Sequence, residues 1–262
     1  MEASSGAERV IASDQSTIFP DEVLAAVSSS ADGTIWFPPR DVLSSQNLKN
    51  WCEILGVPIA STVGLLVEYS DKKSYTDIIA VDQPIGQLGA CDERGWIEAE
   101  ALLTTQPQVA LVLPVADCNA VIFHDSVHGV LGLAHLGWHS TINNLATAMI
   151  EYMGAQYDSL PADIRVYSSP SIRRKSYIFD KLHETPDTRW HQAPYATKRE
   201  DGRYEIDLVA YNLDALIAAG VQRANIEISP VDVYPSDSYS SHRRSVHEQA
   251  PEQRFAVLAM LR

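Results

Sequence analysis

The sequence predicts a mixed α/β fold, an α+β arrangement of central sheets flanked by helices in a single layered domain. Three observations carry that reading. Residues 109–115 form an unbroken apolar run, the pattern of a strand buried on both faces. Two stretches, one through Leu145 and Met149 and one through Leu213 and Leu216, space their apolar residues three and four apart, as on one face of a helix. Hairpin-type strands are mixed among them, which favours a layered mixed domain over a doubly wound parallel sheet.

Taken in order, residues 1–16 are polar and acidic and read as a mobile tail, leaving 17–262 as the domain. Ser44 and Ser45 can cap a helix whose apolar face is Leu48, Trp51, Cys52 and Leu55, with Gly56 as its stop. Cys52 therefore reads as core. Strands follow at 109–115, 120–123 and 130–133, the last two joined by a hairpin turn at 124–129 in which His124 and His128 are expected in solvent. The next helix is capped by Ser140 or Thr141, runs through Ile142, Leu145, Met149 and Met153, and ends at Gly154. Further strands are expected at 164–168, 225–229 and 255–261, with a helix from the cap Asp207 to Gly220 between them.

The chain has 262 residues, 45% of them hydrophobic, so a sizeable core is possible. A net charge of −14 argues against nucleic acid or an anionic membrane as partner, since both select basic surfaces. It leaves room for a small anionic substrate met by a few local arginines. Three cysteines are too few for a disulfide framework and point to a reducing compartment. The polar first twenty residues, and the lack of any apolar run of about 18 residues, predict a cytoplasmic protein without a targeting signal. No Gly-rich nucleotide-binding loop occurs.

The chemistry concentrates at Asp117–Cys118 and, seventeen residues after Cys118, at His135. If the strands that carry them pair, thiol and imidazole meet. That pair is either half a zinc site or a nucleophile with its base; the bland alternative is packing. Asp117 can orient a ring or hold backbone. His139 lies at a helix entry, so the i, i+4 metal argument does not apply to it, though it can share a pocket wall with His135. Two basic clusters, Ser241-His242-Arg243-Arg244 and Arg173-Arg174-Lys175, suit phosphate or carboxylate, or else surface ion pairs.

These segments together resemble a known family. Val115-Ala116-Asp117-Cys118 is similar to the T-A-D-C motif of the laccase-domain (YfiH-type) family, once labelled multicopper polyphenol oxidases and known for purine nucleoside phosphorylase activity. The stretch Gly132 to His139 resembles its G-A-A-H-A-G-W-R, and Glu100-Ala101-Leu102-Leu103-Thr104 its D-A-L-V-T. Ser169-Pro170-Ser171-Ile172 with Tyr177, Tyr204 to Leu208, and Ser241 to Arg244 with Arg254 match its remaining motifs in order over about residues 96–262.

The resemblance implies a compact layered fold, shared distantly with the catalytic domain of cytotoxic necrotizing factor. It implies phosphorolysis of adenosine, inosine and methylthioadenosine, with adenosine deamination as a side activity. It also implies zinc held by one Cys and two His, of which Cys118 and His135 match two. Asp117, His135 and His139 are then the catalytic candidates, and Arg173, Arg243 and Arg244 the phosphate-binding ones. Copper is not expected, because multicopper centres need more His and Cys ligands than cluster here. The chain departs from the family in having no His before His124, in His139 where the family has Arg, in Glu100 for Asp and in Arg173 for Gly. Asp71, another carboxylate or His139 would have to complete a zinc site. The alternatives are a Cys–His hydrolase or peptidoglycan-editing factor, and a non-catalytic binding protein.

Overall fold

The computed structural model describes residues 15–36, 42–68, 74–182 and 188–262. Most of the expected tail, and Asp71, lie outside these residues. The described strands are, in chain order, β1 Val23–Val27, β2 Thr62–Leu66, β3 Ile78–Ala80, β4 Trp96–Glu98, β5 Ala101–Thr104, β6 Ala110–Val115 and β7 Asn119–Asp125. They continue with β8 Val130–Leu136, β9 Ile164–Ser168, β10 Ile178–Phe179, β11 Ala196–Lys198, β12 Tyr204–Ile206, β13 Ile226–Ile228 and β14 Phe255–Leu261. The α-helices are α1 Val42–Leu55, α2 Trp138–Ile142, α3 Leu145–Tyr157, α4 Leu208–Ala218 and α5 His242–Glu248.

Two sheets stack face to face. One has the order β1-β14-β6-β2-β4, the other β13-β9-β7-β8-β5-β3, and a small sheet β10-β12-β11 stands apart from both. The alternation of side chains along each strand explains the continuous apolar runs. In β6, Leu111 and Leu113 point into the inter-sheet core with Ile122 and Leu133 of the second sheet, while Ala110 and Val112 pack under α1 with Leu48 and Trp51. In β7 and β8, Val121, Phe123 and Ala134 face the other way, against Leu145, Met149 and Met153 of α3. The layers therefore run α1, first sheet, second sheet, then α3 with α4, and both faces of each central strand are buried.

Several expectations are corrected. The hairpin turn is shorter than expected: β7 continues to Asp125, so His124 is a strand residue, 1% exposed, with its ring edge-on to Phe19 at 6.1 Å. The helix expected after His139 is two helices: α2 already starts at Trp138, with Gly137 as its cap and Ser140 and Thr141 inside it, and α3 runs through Gly154 to Tyr157, the break falling where Asn144 takes a left-handed φ of 61° that asparagine tolerates. Ser44 lies inside α1, and its Oγ accepts the Trp36 N–H at 2.9 Å. Among the described residues no helix is long and apolar enough to cross a membrane.

Residues 15–18, partly assigned to the tail from sequence, are tied down as a strap. The Gln15 side-chain amide pairs with the backbone of Val27 on edge strand β1, accepting at 2.9 Å and donating at 3.0 Å. The N–H groups of Thr17 and Ile18 donate to the Glu227 carboxylate on edge strand β13, at 2.9 and 2.8 Å.

His124 packs against Phe19, just after this strap, and burial disfavours its charged form. Desolvation pulls its pKa below 6.5, Glu22 and Asp125 push back, and Arg165 adds to the lowering. With the folded pKa depressed, the unfolded chain takes up the proton first as pH falls. The associated stability is complete above pH 6.5 and is lost as pH falls from there toward the lowered folded value. Urea unfolding followed from pH 6.5 downward should show the wild type losing stability, and His124→Asn should flatten that slope. An unchanged slope in the variant would show that His124 is not its source.

Candidate active site

The site forms where the chain leaves one sheet and enters the other. β6 belongs to the first sheet and β7 to the second. The link between them is Ala116-Asp117-Cys118, with Asp117 in a left-handed conformation at φ 76°. β8 pairs antiparallel to β7, with Ala120 opposite His135, so Cys118 and His135 come to the same end of the hairpin. The meeting expected from sequence takes place: His135 and Cys118 hydrogen-bond through their side chains. The two converge around Gly137. A Cβ there would lie 2.7 and 2.9 Å from Cε1 and Nε2 of His135 and 3.1 Å from Sγ of Cys118. Gly137 has an ordinary φ of −85°, so space and not backbone freedom is what demands glycine.

On the far side of the ring, Nδ1 of His135 lies 2.9 Å from Oε2 of Glu100, the residue just before β5. His135 is 3% exposed and Glu100 1%. Burial alone would lower the pKa of His135, but the Cys118 and Glu100 partners outweigh it and raise the value to about 9.

Asp117 accepts the backbone N–H of Arg243 at 2.7 Å. Burial raises its pKa, against the lowering effect of hydrogen bonds from Ser241 and Arg243. Arg243, on the first turn of α5, donates Nη1 to the Ile178 carbonyl at 2.6 Å and lies over the rings of Tyr177 and Phe179 at 4.9 and 5.0 Å. A narrow cleft opens beside these groups. Its walls include Asp117, Cys118, Trp138, Ile172, Tyr177 and Leu208, and its inner volume is about 20 Å³, room for one water. Trp138 is braced edge-on by Trp190 at 4.5 Å, and Tyr177 by Phe179 at 4.7 Å.

Three expected site residues stand elsewhere. His139 does not line this cleft; its ring stacks on Tyr75 at 4.5 Å and 15°. Arg244 donates to the carbonyls of Val233, Tyr234, Ser236 and Tyr239. Arg173 donates to those of Val231 and Ser229. Both guanidinium groups thus hold the chain between β13 and α5, and the three arginines do not form one anion site. Glu100, Gly137 and Trp138 belong to the site although sequence reasoning assigned them no role. The available signal for Glu100 was a carboxylate set between two alanines at the start of an apolar run.

A thiolate and an imidazole are donors that zinc accepts, and a carboxylate on the second ring nitrogen is the usual support of a metal-bound histidine. A catalytic zinc takes three protein donors. Among the described residues no group of three His, Cys, Asp or Glu side chains comes together that could hold a metal. The described donors therefore do not by themselves fit a catalytic zinc.

This chain is similar to known proteins along most of its length. The purine nucleoside phosphorylase of Bacteroides thetaiotaomicron is 27% identical over 133 residues, which is 50% of this chain and 49% of that one. Adenosine deaminase RL5, from an unknown prokaryotic organism, is 29% identical over 161 residues, 57% of this chain and 58% of its own. The chain thus spans about half the length of these curated relatives. The crystal structure of the hypothetical protein YfiH of Bacillus licheniformis matches with a TM-score of 0.74 at 25% identity, over 92% of this chain and 93% of that one. The expected YfiH-like fold is therefore observed. Residues 43–262 match the family of multi-copper polyphenol oxidoreductase laccases, and the chain belongs to that family.

Proposed function

We propose that this chain is an enzyme acting on purine nucleosides, by phosphorolysis, at the Cys118 cleft. The observation that carries the reading is the juxtaposition, in one cleft, of an aromatic wall (Trp138, Tyr177) with Asp117 and Cys118, and of Arg243 beside them. The names of the relatives support it. A purine is flat and aromatic, and braced rings offer it stacking surface. Arg243 uses one nitrogen on Ile178 and, unlike Arg173 and Arg244, is not committed to several carbonyls. It is therefore the arginine of the three best placed to meet phosphate.

In phosphorolysis a phosphate oxygen forms a bond to the anomeric carbon as the C–N bond breaks, and the electron pair of that bond leaves with the purine, which takes up a proton. Asp117, whose pKa burial raises, suits delivery of that proton. Cys118 presents sulfur to the cleft with His135 behind it, so His135 acts through Cys118 and not by touching substrate. His139 receives no role in this scheme. Nucleoside-sized sites occupy about 300 Å³ or more, so binding must widen the cleft.

The deciding experiment incubates purified protein with adenosine, inosine or methylthioadenosine, with and without phosphate, and follows free base and ammonia. Base release that requires phosphate is the expected result; ammonia alone would indicate deamination, and neither would reject the reading. Cys118→Ala and His135→Ala should each lower turnover by about 100-fold or more, and full activity in either would overturn the site. Gly137→Ala should keep the fold, because its φ suits any residue, yet lower turnover about tenfold or more, because the added methyl displaces His135 or Cys118. Arg243→Met should raise the KM for phosphate more than that for nucleoside.

A further inference from the structure

We propose that Glu100 is the positioning residue of this site: it occupies Nδ1 of His135 and so keeps Nε2 aimed at Cys118. The inference deepens the reading of the Cys118 cleft and rests on it for its kinetic consequence, though not for its structural one.

Glu100 grips His135 at two points. Its backbone carbonyl accepts the His135 N–H at 2.8 Å, and its carboxylate meets Nδ1 at 2.9 Å. The first contact fixes the backbone that carries the ring and the second fixes the ring's rotation. Glu100 is itself anchored, because its own N–H and that of Ala101 both donate to the Asp77 carbonyl, at 2.9 and 3.0 Å. The pairing of Ala101 with Ala134 then sets β5 and β8 side by side, which brings the carboxylate level with the imidazole.

A carboxylate offers acceptors and no donor, so the hydrogen between the two residues sits on Nδ1 whether the ring is neutral or cationic. Nε2 is left as the nitrogen on the Cys118 side, where it and Sγ both crowd the space above Gly137. Without the carboxylate the ring could turn over or exchange its hydrogen between nitrogens, and the aim at Cys118 would be lost. The thiol lines the cleft and the imidazole does not, so a group two contacts away from substrate governs what the cleft presents.

The test compares wild type with Glu100→Gln and Glu100→Ala, each labelled with nitrogen-15 in histidine. The wild type should show a strongly downfield proton attached to Nδ1 of His135, assigned by its absence in His135→Ala. Glu100→Gln, which keeps size and removes charge, should move that resonance upfield, and Glu100→Ala should abolish it. In the base-release assay Glu100→Gln should lower kcat about tenfold or more with the KM for nucleoside little changed. A purely structural role would lower thermal stability while leaving the resonance of the folded fraction and its kcat unchanged, and that outcome overturns the proposal. So does a wild-type His135 without the downfield Nδ1 proton. If no nucleoside is cleaved by the wild type, the functional reading fails while the resonance still decides the role of Glu100.

Discussion

The turn at Asp117 is the constraint on which the rest of the site depends. The chain crosses there from one sheet to the other within three residues, and it does so with a side-chain-bearing residue at φ 76°. Left-handed backbone of this kind costs on the order of 1 kcal/mol and persists only where surrounding contacts impose it. Here the imposing contacts are the N–H of Arg243 and the hydroxyl of Ser241, both offered to the carboxylate of Asp117. One residue thus turns the chain, fastens α5 to the turn and delivers Cys118 to the mouth of the β7–β8 hairpin. The position of Arg243 over Tyr177 and Phe179 follows from the same fastening.

Polar groups at the site are organised in depth. Cys118 and Asp117 are at the cleft, His135 stands behind the first, and Glu100 stands behind His135. His135 is fixed by the pairing of β8, and Glu100, just ahead of β5, by its backbone bonds to Asp77 and His135, so the chemistry at the cleft rests on buried, hydrogen-bonded support. The aromatic wall is held differently: Tyr177 precedes the two-residue strand β10, and Trp138, the first residue of α2, is braced by Trp190 in a short helical turn.

The parts legible in the sequence are those whose signal is local. The apolar runs that became β6, β9 and β14, and the Asp207 cap that starts α4 through a 2.9 Å bond to the Ala210 N–H, report their own structure. The Cys118–His135 meeting was legible because a hairpin forces it. What stayed hidden is non-local. The link of Glu100 to His135 depends on β5 lying against β8, which no spacing announces. Arg244 carries the same adjacency signal as Arg243, yet its guanidinium turns inward to four carbonyls while that of Arg243 faces aromatic rings. His124 looked like a turn residue because its neighbours Asp125 and Ser126 are polar, but the strand runs on through it and Phe19 packs edge-on against it.

The strap over residues 15–18 has a further consequence, in self-association. β1 and β13 are the outermost strands of their sheets and lie on the same flank. An open edge presents backbone donors and acceptors that another chain can extend as a new strand. Gln15 fills the Val27 position with a side-chain amide, which satisfies that backbone without offering a fresh strand beyond it. Glu227 adds a carboxylate at the other edge and takes up the N–H groups of Thr17 and Ile18. A segment that adds only Ile18 to the margin of the core thereby occupies backbone at one sheet edge and a carboxylate at the other, which leaves less open edge for a second molecule to extend.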